Sequence, residues 1–189
     1  MADANITKQA LAASLRELME EIPFDKINVA HICERCGMNR KSFYYHFKDK
    51  YDLVNWIFDT EFISLASDNT SSAYRERWDL IEKACCYFYE NRNFYCSALQ
   101  IKGQNSFSDH FTEYIQPILK THLVCLLGSE QVDEFSIDFF TDAVLCAMKR
   151  WLMTKDCMPP EEFAARLKRL VQNGAVAIYQ EINQETTDN

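Results

Sequence analysis

The chain has 189 residues, with only 4 glycines, 4 prolines and 8 cysteines, and a formal net charge of −8. So few glycines and prolines argue against a turn-rich β-sandwich or barrel and against a glycine-rich phosphate loop, and they favour a mostly helical protein. The first residues lack a basic and apolar leader, and no run of about eighteen apolar residues occurs, so we expect neither a signal peptide nor a membrane span. The cysteines are then expected to be reduced thiols in a cytoplasmic protein.

The opening segment is predicted to form one helix. Apolar residues recur at helical spacing between Thr7, a candidate N-cap, and Ile22. Pro23 is expected to end this helix, because proline cannot continue the hydrogen-bond ladder and disfavours helical backbone in the residue before it.

Two short helices are predicted next, joined by a glycine. Asn28 is suited to cap a helix over residues 29–36, and Asn39 is suited to cap another over residues 40–47. Gly37 falls between them, where the chain needs a positive φ that glycine adopts without a steric penalty. Two short helices joined in this way, the second rich in Arg, Lys, Ser and Tyr, are typical of a helix-turn-helix that binds the DNA major groove.

The rest of the chain is predicted to be helical, with one polar linker. A fourth helix, about residues 49–66, leads to a polar run at residues 67–72. Apolar periodicity then predicts helices over residues 78–91, 94–102, 106–127, 132–155 and 161–184. We therefore expect an all-α protein of about nine helices, with an N-terminal domain over residues 1–50, a connecting fourth helix, and a larger C-terminal domain over residues 67–189.

The acidic net charge hides a basic N-terminal segment. Residues 1–50 hold eight basic and seven acidic residues, whereas residues 51–189 hold twelve basic and twenty-one acidic ones. Residues 26–50 alone carry six basic residues against two acidic ones. This distribution suits a DNA-binding segment joined to a separate domain, although an ordinary solvated charged face has the same composition.

Residues 37–53 carry a motif that resembles the helix-turn-helix of the TetR family of transcriptional regulators. The residues that match the family's pattern are Gly37, Phe43, Tyr44, His46, Phe47, Lys50 and Leu53. Asn39 stands where the family usually has serine and Ser42 where it usually has threonine, so both positions keep a capping or hydroxyl group. The resemblance covers about residues 6–60.

This resemblance implies a homodimer that binds a near-palindromic DNA operator, and a divergent C-terminal domain that binds an effector and dimerises. Tyr44 and Lys50 match positions at which the family contacts phosphates. The cap and the positions that usually face bases or nearby phosphates are occupied by Asn39, Arg40, Lys41, Ser42 and Tyr45. His46 is left open between packing and a phosphate contact, and Phe43 and Phe47 are expected in the core.

A narrower resemblance concerns regulators of the dihydroxyacetone kinase type. It rests on residues 38–58 together with residues 158–163. Some regulators of that group are thought to activate transcription with a protein partner. The alternative function is therefore a partner-dependent activator or adaptor, in place of a regulator controlled by a small molecule.

The C-terminal domain carries many aromatic residues, most of which must be core. The resemblance implies an effector cavity among its central helices, and the side chains expected to line it are Tyr87, His110, Tyr114, His122 and Trp151. Each of these residues also suits a structural role. Such a cavity would hold a small, moderately polar or aromatic organic molecule.

The last predicted helix has a long apolar stripe that needs a covering surface. With the helix over residues 132–155 it could form half of a four-helix dimer interface. The residues expected at this interface are Phe163, Leu167, Leu170, Ala175, Ile178 and Tyr179.

The cysteines are weighed as packing residues against metal or redox sites. Cys33 and Cys36 have zinc-like spacing, but no second pair accompanies them, so we expect packing and no metal site. For the adjacent Cys85 and Cys86, thiol sensing is left open beside packing. No nucleophile motif, carboxylate dyad or ligand cluster stands out, so we expect no enzymatic activity and no cofactor beyond an unidentified effector.

Overall fold

The protein is described here by a computed structural model over residues 2–67, 74–101, 106–128 and 132–187. In these ranges nine α-helices account for the regular structure, apart from one short 3-10 turn at Phe24–Lys26, which confirms the expected all-α class. The helices are α1 (Ala2–Glu21), α2 (Val29–Arg35), α3 (Arg40–His46), α4 (Lys50–Ser67), α5 (Tyr74–Glu90), α6 (Arg92–Ala98), α7 (Phe107–Leu127), α8 (Glu134–Met153) and α9 (Pro160–Thr187). The predicted linker falls almost entirely outside the described residues.

The helix boundaries differ from the predictions mainly at the first turns. Helix α1 begins at Ala2, ahead of the expected cap at Thr7, since no glycine or proline interrupts the residues between them. Helix α9 begins at Pro160, whose fixed φ suits the first turn of a helix. Pro117 lies inside α7.

The chain divides into two compact units. The head unit consists of Met1–Ser64 and Asn91–His110, and the body unit consists of Leu65–Glu90 and Phe111–Asn189. Residues 91–110 were expected in the C-terminal domain. They group with the N-terminal helices because Tyr95 and Phe107 are fully buried among head residues, with Phe107 lying edge-on to Phe58 of α4 at 5.3 Å.

In the head unit, a polar network joins α1, α4 and α6. The guanidinium of Arg16 donates to both carboxylate oxygens of Glu61 at 2.5 and 2.6 Å, and it also lies 4.3 Å over the ring of Phe94. The buried hydroxyl of Tyr95 donates to the same carboxylate at 3.1 Å. Since both partners of the carboxylate come from other helices, this network fixes α6 against α1 and α4.

In the body unit, α5 packs on α8 and α9, and α8 packs on α9. Phe88 of α5 and Phe111 of α7 meet edge to face at 5.1 Å. Gly174 of α9 faces the ring of Phe140 on α8, where an added Cβ would lie 3.7 Å away, which is ordinary contact. Gly174 therefore lies in the contact between α8 and α9 of one protomer.

None of the helices in the described ranges has the length and apolar character needed to cross a membrane.

Candidate functional site

Helices α2 and α3 form a helix-turn-helix, in which Asn28 caps α2 and Gly37 makes the turn, as the sequence predicts. The Asn28 side chain accepts a hydrogen bond from the backbone N–H of His31 at 3.0 Å, and the His31 ring accepts one from the Asn28 N–H at 3.4 Å. At the other end of α2, Gly37 adopts φ +67°. The N–H of Met38 then reaches back to the carbonyl of Cys33 at 2.8 Å, as in a Schellman motif. The cap and the positive φ are both as predicted.

Helix α3 has one buried face and one exposed face. The Asn39 side chain caps it by accepting from the backbone N–H of Ser42 at 2.9 Å and from the Ser42 hydroxyl at 3.2 Å. Phe43 and Phe47 are buried, as expected, and hold the helix on the head unit. The opposite face is exposed and consists of Arg40, Lys41, Tyr44 and Tyr45. Seven residues give a helix about 10 Å long, a length that fits the major groove.

His46, at the end of α3, lies between the two faces. It is partly exposed, and its ring meets the ring of Tyr45 edge to face at 4.9 Å and lies 6.4 Å from the ring of Phe47. Its packing against both neighbours leaves part of the ring accessible, so the two roles considered for it remain compatible with the structure.

Lys50 is partly buried, and its ammonium group binds backbone. Its Nζ donates to the carbonyl oxygens of Phe24 at 2.7 Å and of Ile27 at 2.8 Å, and it lies 4.2 Å over the Phe24 ring. Burial lowers the pKa of this amine, while the nearby carboxylates of Asp25 and Asp49 oppose the shift. Lys50 therefore joins the start of α4 to the turn before α2, and one of its three N–H groups is left for another acceptor.

A cleft of about 570 Å³ brings several predicted DNA-binding residues together. Arg40, Tyr44 and Lys50 line it with the first residues of α2, and Asp49 contributes the one carboxylate. Lys41 and Tyr45 lie outside its lining, on the exposed part of α3. The predicted DNA-binding residues thus fall into two groups: Arg40, Tyr44 and Lys50 line the cleft, and Lys41 and Tyr45 lie on the exposed surface of α3 outside it.

The basic residues of the segment 26–50 differ in whether they are neutralised. Arg35 donates to both carboxylate oxygens of Glu21 on α1 at 2.6 Å, and this hydrogen bonding lowers the pKa of Glu21. By contrast, Arg40, Lys41 and Lys48 are exposed and take part in no ion pair within the described ranges. Their positive charges are available to an external anion.

The residues proposed for an effector cavity do not form one group. His110 belongs to the head unit, where its Nε2 lies 2.6 Å from a carboxylate oxygen of Asp59. Tyr87 and Tyr114 are partly buried in the body unit, and Trp151 is buried there. Sequence spacing could not distinguish these locations, because His110 and Tyr114 share one helix that contributes to both units.

His122 is buried in the body unit and holds a defined tautomer. The indole N–H of Trp78 donates to its Nε2 at 2.7 Å. Because an indole nitrogen can only donate, Nε2 must be the acceptor, and in the neutral ring the proton then lies on Nδ1. This contact joins α5 to α7 inside the body unit.

Trp151 lines a cavity of about 460 Å³ at the end of α8. None of the other four proposed effector residues lines this cavity. Phe163, which was expected at a dimer interface, lines it and stacks on Trp151 with 4.3 Å between ring centroids.

The proposed dimer stripe on α9 is divided between core and surface. Phe163, Leu167 and Ala175 are buried within one protomer, since α9 packs on α5 and α8. Leu170 is 71% exposed and Tyr179 is partly exposed. The side chain of Ile178 lies outside the described residues.

Two exposed phenylalanines on α8 were missed by sequence reasoning. Phe135 is 77% exposed and Phe139 is 52% exposed. They lie four residues apart, on the face of α8 opposite to the buried Ile137, Val144 and Met148. The signal was present in the sequence, because a helix with apolar residues on both faces needs a second covering surface.

The adjacent thiols of α5 have environments that disfavour the thiolate. Burial raises the pKa of Cys85 to about 12. Burial also raises the pKa of Cys86, which faces the carboxylate of Glu161 and lies near Glu82. Across the described ranges, no group of three His, Cys, Asp or Glu side chains is placed to hold a metal ion.

Two family models match the chain. The model described as "Bacterial regulatory proteins, tetR family" matches residues 8–57, and the model described as "Transcriptional regulator C-terminal region" matches residues 76–173. A curated relative, the dhaKLM operon transcriptional activator DhaS of Lactococcus lactis subsp. lactis (strain IL1403), is 31% identical over 90 residues. That match covers 48% of this chain and 47% of the relative, so it spans about half of each protein.

Solved structures share the fold at low sequence identity. A TetR transcriptional regulator from Streptococcus agalactiae 2603V superposes with a TM-score of 0.69 at 17% identity, over 90% of this chain and 96% of that one. NalD, a repressor of the MexAB-OprM efflux pump of Pseudomonas aeruginosa, gives 0.67 at 16% identity, over 92% and 98%. A dihydroxyacetone kinase operon activator DhaS gives 0.63 at 20% identity, over 93% and 97%.

Proposed function

This chain belongs to the TetR family of bacterial transcriptional regulators, and we propose that it acts as a homodimer that binds a near-palindromic DNA operator through α3. The observation that carries the proposal is the exposed face of α3. Arg40 and Lys41 are exposed there without ion-pair partners in the described ranges, while Phe43 fixes the helix from the buried side. A helix held in this way can place several side chains on base edges at once.

The cleft beside α3 supplies the phosphate contacts of the proposal. Tyr44 is 58% exposed at its edge, and Lys50 approaches it with one N–H not used by the carbonyls of Phe24 and Ile27. Because two N–H groups of Lys50 are held in place, the third has a fixed direction at little further cost in side-chain entropy. We assign to Lys50 both a structural and a phosphate-binding role.

Dimerisation is proposed through the exposed apolar residues of the body unit. Phe135, Phe139 and Leu170 would each leave large apolar areas in water in an isolated protomer.

In a two-fold symmetric dimer, two copies of α3 must be separated by about 34–36 Å, or a multiple of it, to enter successive major grooves. An effector that binds one spacing better than another would then change the affinity for DNA.

Two modes of regulation are candidates: control by a small molecule, and activation that depends on a protein partner. A regulator controlled by a small molecule is favoured by the family membership, whereas the 31% identical relative is named as a transcriptional activator. We keep partner-dependent activation as the second candidate for that reason. We propose no enzymatic role, and we place the protein in the cytoplasm because its proposed partner is bacterial DNA.

Fluorescence anisotropy tests the DNA proposal. Purified protein is titrated into labelled duplexes that tile the DNA upstream of its own gene, with scrambled duplexes at the same salt concentration. We expect tight, sequence-dependent binding to a duplex with two-fold symmetry. Arg40→Gln or Lys41→Gln should lose about 1–3 kcal/mol of discrimination at a base that it contacts. A residue that contacts only phosphate should instead weaken binding to all duplexes and lower the salt slope by about one.

The matched control is Arg169→Gln, an exposed arginine on α9 of the body unit. It removes the same charge and should leave the operator affinity unchanged. Equal affinity of the wild type, Arg40→Gln and Lys41→Gln for every duplex would contradict the proposed role of α3.

A further inference from the structure

A cavity at the end of α8 has the size and composition of a small-molecule site. It has a volume of about 460 Å³ and lies wholly in the body unit, between the last turns of α8, the segment that follows and the start of α9. Its apolar wall is formed by Ala143, Ala147, Trp151, Met158 and Phe163. Ligand pockets of about 300–1,000 Å³ with mainly apolar walls hold molecules of amino-acid size and larger.

The aromatic wall of this cavity is fixed before any ligand binds. The indole N–H of Trp151 donates to the carbonyl of Met158 at 2.8 Å. One face of the indole stacks on Phe163 with an interplanar angle of 4°, and its ring centroid lies 6.0 Å from that of Tyr89 at 20°. Because the ring is held by three contacts, a ligand does not have to order it, and less free energy is lost on binding.

Two opposite charges lie at the rim of the same cavity. Arg150 of α8 and Asp156 of the following segment both line it, and both are exposed in the single protomer, Arg150 on the same face of α8 as Phe139 of the proposed dimer surface. Neither takes part in an ion pair in the described residues, whether with the other or with a third side chain. The rim thus offers a guanidinium for a carboxylate and a carboxylate for an ammonium group.

We propose that this cavity binds an apolar amino acid or a similar zwitterion. The apolar side chain would fill the space beside Trp151, the carboxylate would bind the guanidinium of Arg150, and the ammonium group would bind Asp156. A purely anionic ligand would be repelled by Asp156 and a purely cationic one by Arg150, so the two rim charges together select a molecule with both. The site differs from the one expected among the central helices, which would include His122 and Tyr114.

Isothermal titration calorimetry with three related probes tests this proposal. L-phenylalanine carries both charges, 3-phenylpropionate only the carboxylate, and phenethylamine only the ammonium group. We expect L-phenylalanine to bind the wild-type protein most tightly. Arg150→Gln should weaken phenylalanine about tenfold and leave phenethylamine equal or tighter, whereas Asp156→Asn should weaken phenylalanine and leave 3-phenylpropionate equal or tighter.

Two further variants separate the cavity from general charge effects. Ala147→Phe places a ring in the cavity and should abolish binding of all three probes, while Arg169→Gln should change none of the affinities. Similar affinities of the three probes, unchanged phenylalanine binding in Arg150→Gln, or no saturable binding up to the solubility limits would each overturn the proposal.

Thiol modification gives a second readout that does not depend on heats of binding. Cys146 and Cys157 line the cavity, whereas Cys125 is exposed on α7 and does not. Saturating phenylalanine should slow the alkylation of Cys146 and Cys157, followed by peptide mass spectrometry, and should leave Cys125 unaffected. Equal rates at all three thiols with and without phenylalanine would contradict binding at this place.

Discussion

Replacing Gly37 by alanine tests the turn that orients α3. Gly37 adopts φ +67°, and no atom lies within 4 Å of the position that a Cβ would take. A methyl group there meets no clash, so the whole cost comes from the backbone conformation. For a non-glycine residue that cost is roughly 1–2 kcal/mol, offset by a few tenths of a kcal/mol from the lower entropy of the unfolded chain. We expect Gly37→Ala to lower the free energy of unfolding by about 1 kcal/mol.

Urea denaturation followed by far-ultraviolet circular dichroism measures this loss. With a slope of about 2–3 kcal/mol per molar urea, the midpoint should fall by roughly 0.3–0.5 M. Gly37→Asn should lose less, because asparagine tolerates the left-handed region better than alanine does. An unchanged midpoint for Gly37→Ala, or a larger loss for the asparagine variant, would refute the argument from φ.

Gly174→Ala is the matched control in α9. The same methyl group is added, but within a helix and 3.7 Å from the Phe140 ring, which is ordinary van der Waals contact. Alanine is favoured over glycine in a helix interior by about 0.5–1 kcal/mol, so this variant should be stabilised. Opposite signs for the two substitutions separate backbone strain from a general effect of removing glycine.

Three other predictions follow from packing and burial. Burial raises the pKa of Cys85 to about 12 and leaves little thiolate at pH 8, so iodoacetamide should alkylate Cys85 far more slowly than the exposed Cys125; comparable rates at pH 8 would contradict its burial. Tyr95→Phe removes a hydrogen bond to the Glu61 carboxylate and should lower the free energy of unfolding in urea by about 1–2 kcal/mol, whereas Tyr45→Phe, at an 83% exposed position, should leave it unchanged. Equal urea midpoints for the two variants would contradict a stabilising role of that hydrogen bond. Phe139→Glu should shift the proposed dimer toward monomer in light scattering after size exclusion, and an unchanged mass would move the interface elsewhere.

The helix-turn-helix could be predicted from the sequence because its geometry is decided locally. Asn28 and Asn39 each cap a helix by accepting a hydrogen bond from the backbone N–H three residues later. Gly37 ends α2 and lets the N–H of Met38 donate to the carbonyl of Cys33. Each of these features depends on residues that are close in sequence, which is the range over which residue type determines backbone conformation.

The partners of helical faces could not be predicted in the same way. The apolar stripe of α9 was recognised, but periodicity does not tell which surface covers it, and Leu167 and Ala175 are covered by their own protomer. Lys50 illustrates the same limit, since its bonds reach carbonyls 26 and 23 residues away. His110 was grouped with body residues although its partner Asp59 lies in the head unit.

The two proposals concern different units, so they can fail independently. Arg40 and Lys41 lie in the head unit, whereas Arg150 and Asp156 lie in the body unit. Calorimetry with phenylalanine needs no DNA, and anisotropy with the operator needs no ligand. If phenylalanine binds but leaves operator affinity unchanged, the cavity is a binding site without a regulatory role. If it shifts operator affinity in the wild type but not in Arg150→Gln, the cavity controls DNA binding. By linkage, the operator must then change the affinity for phenylalanine by the same factor.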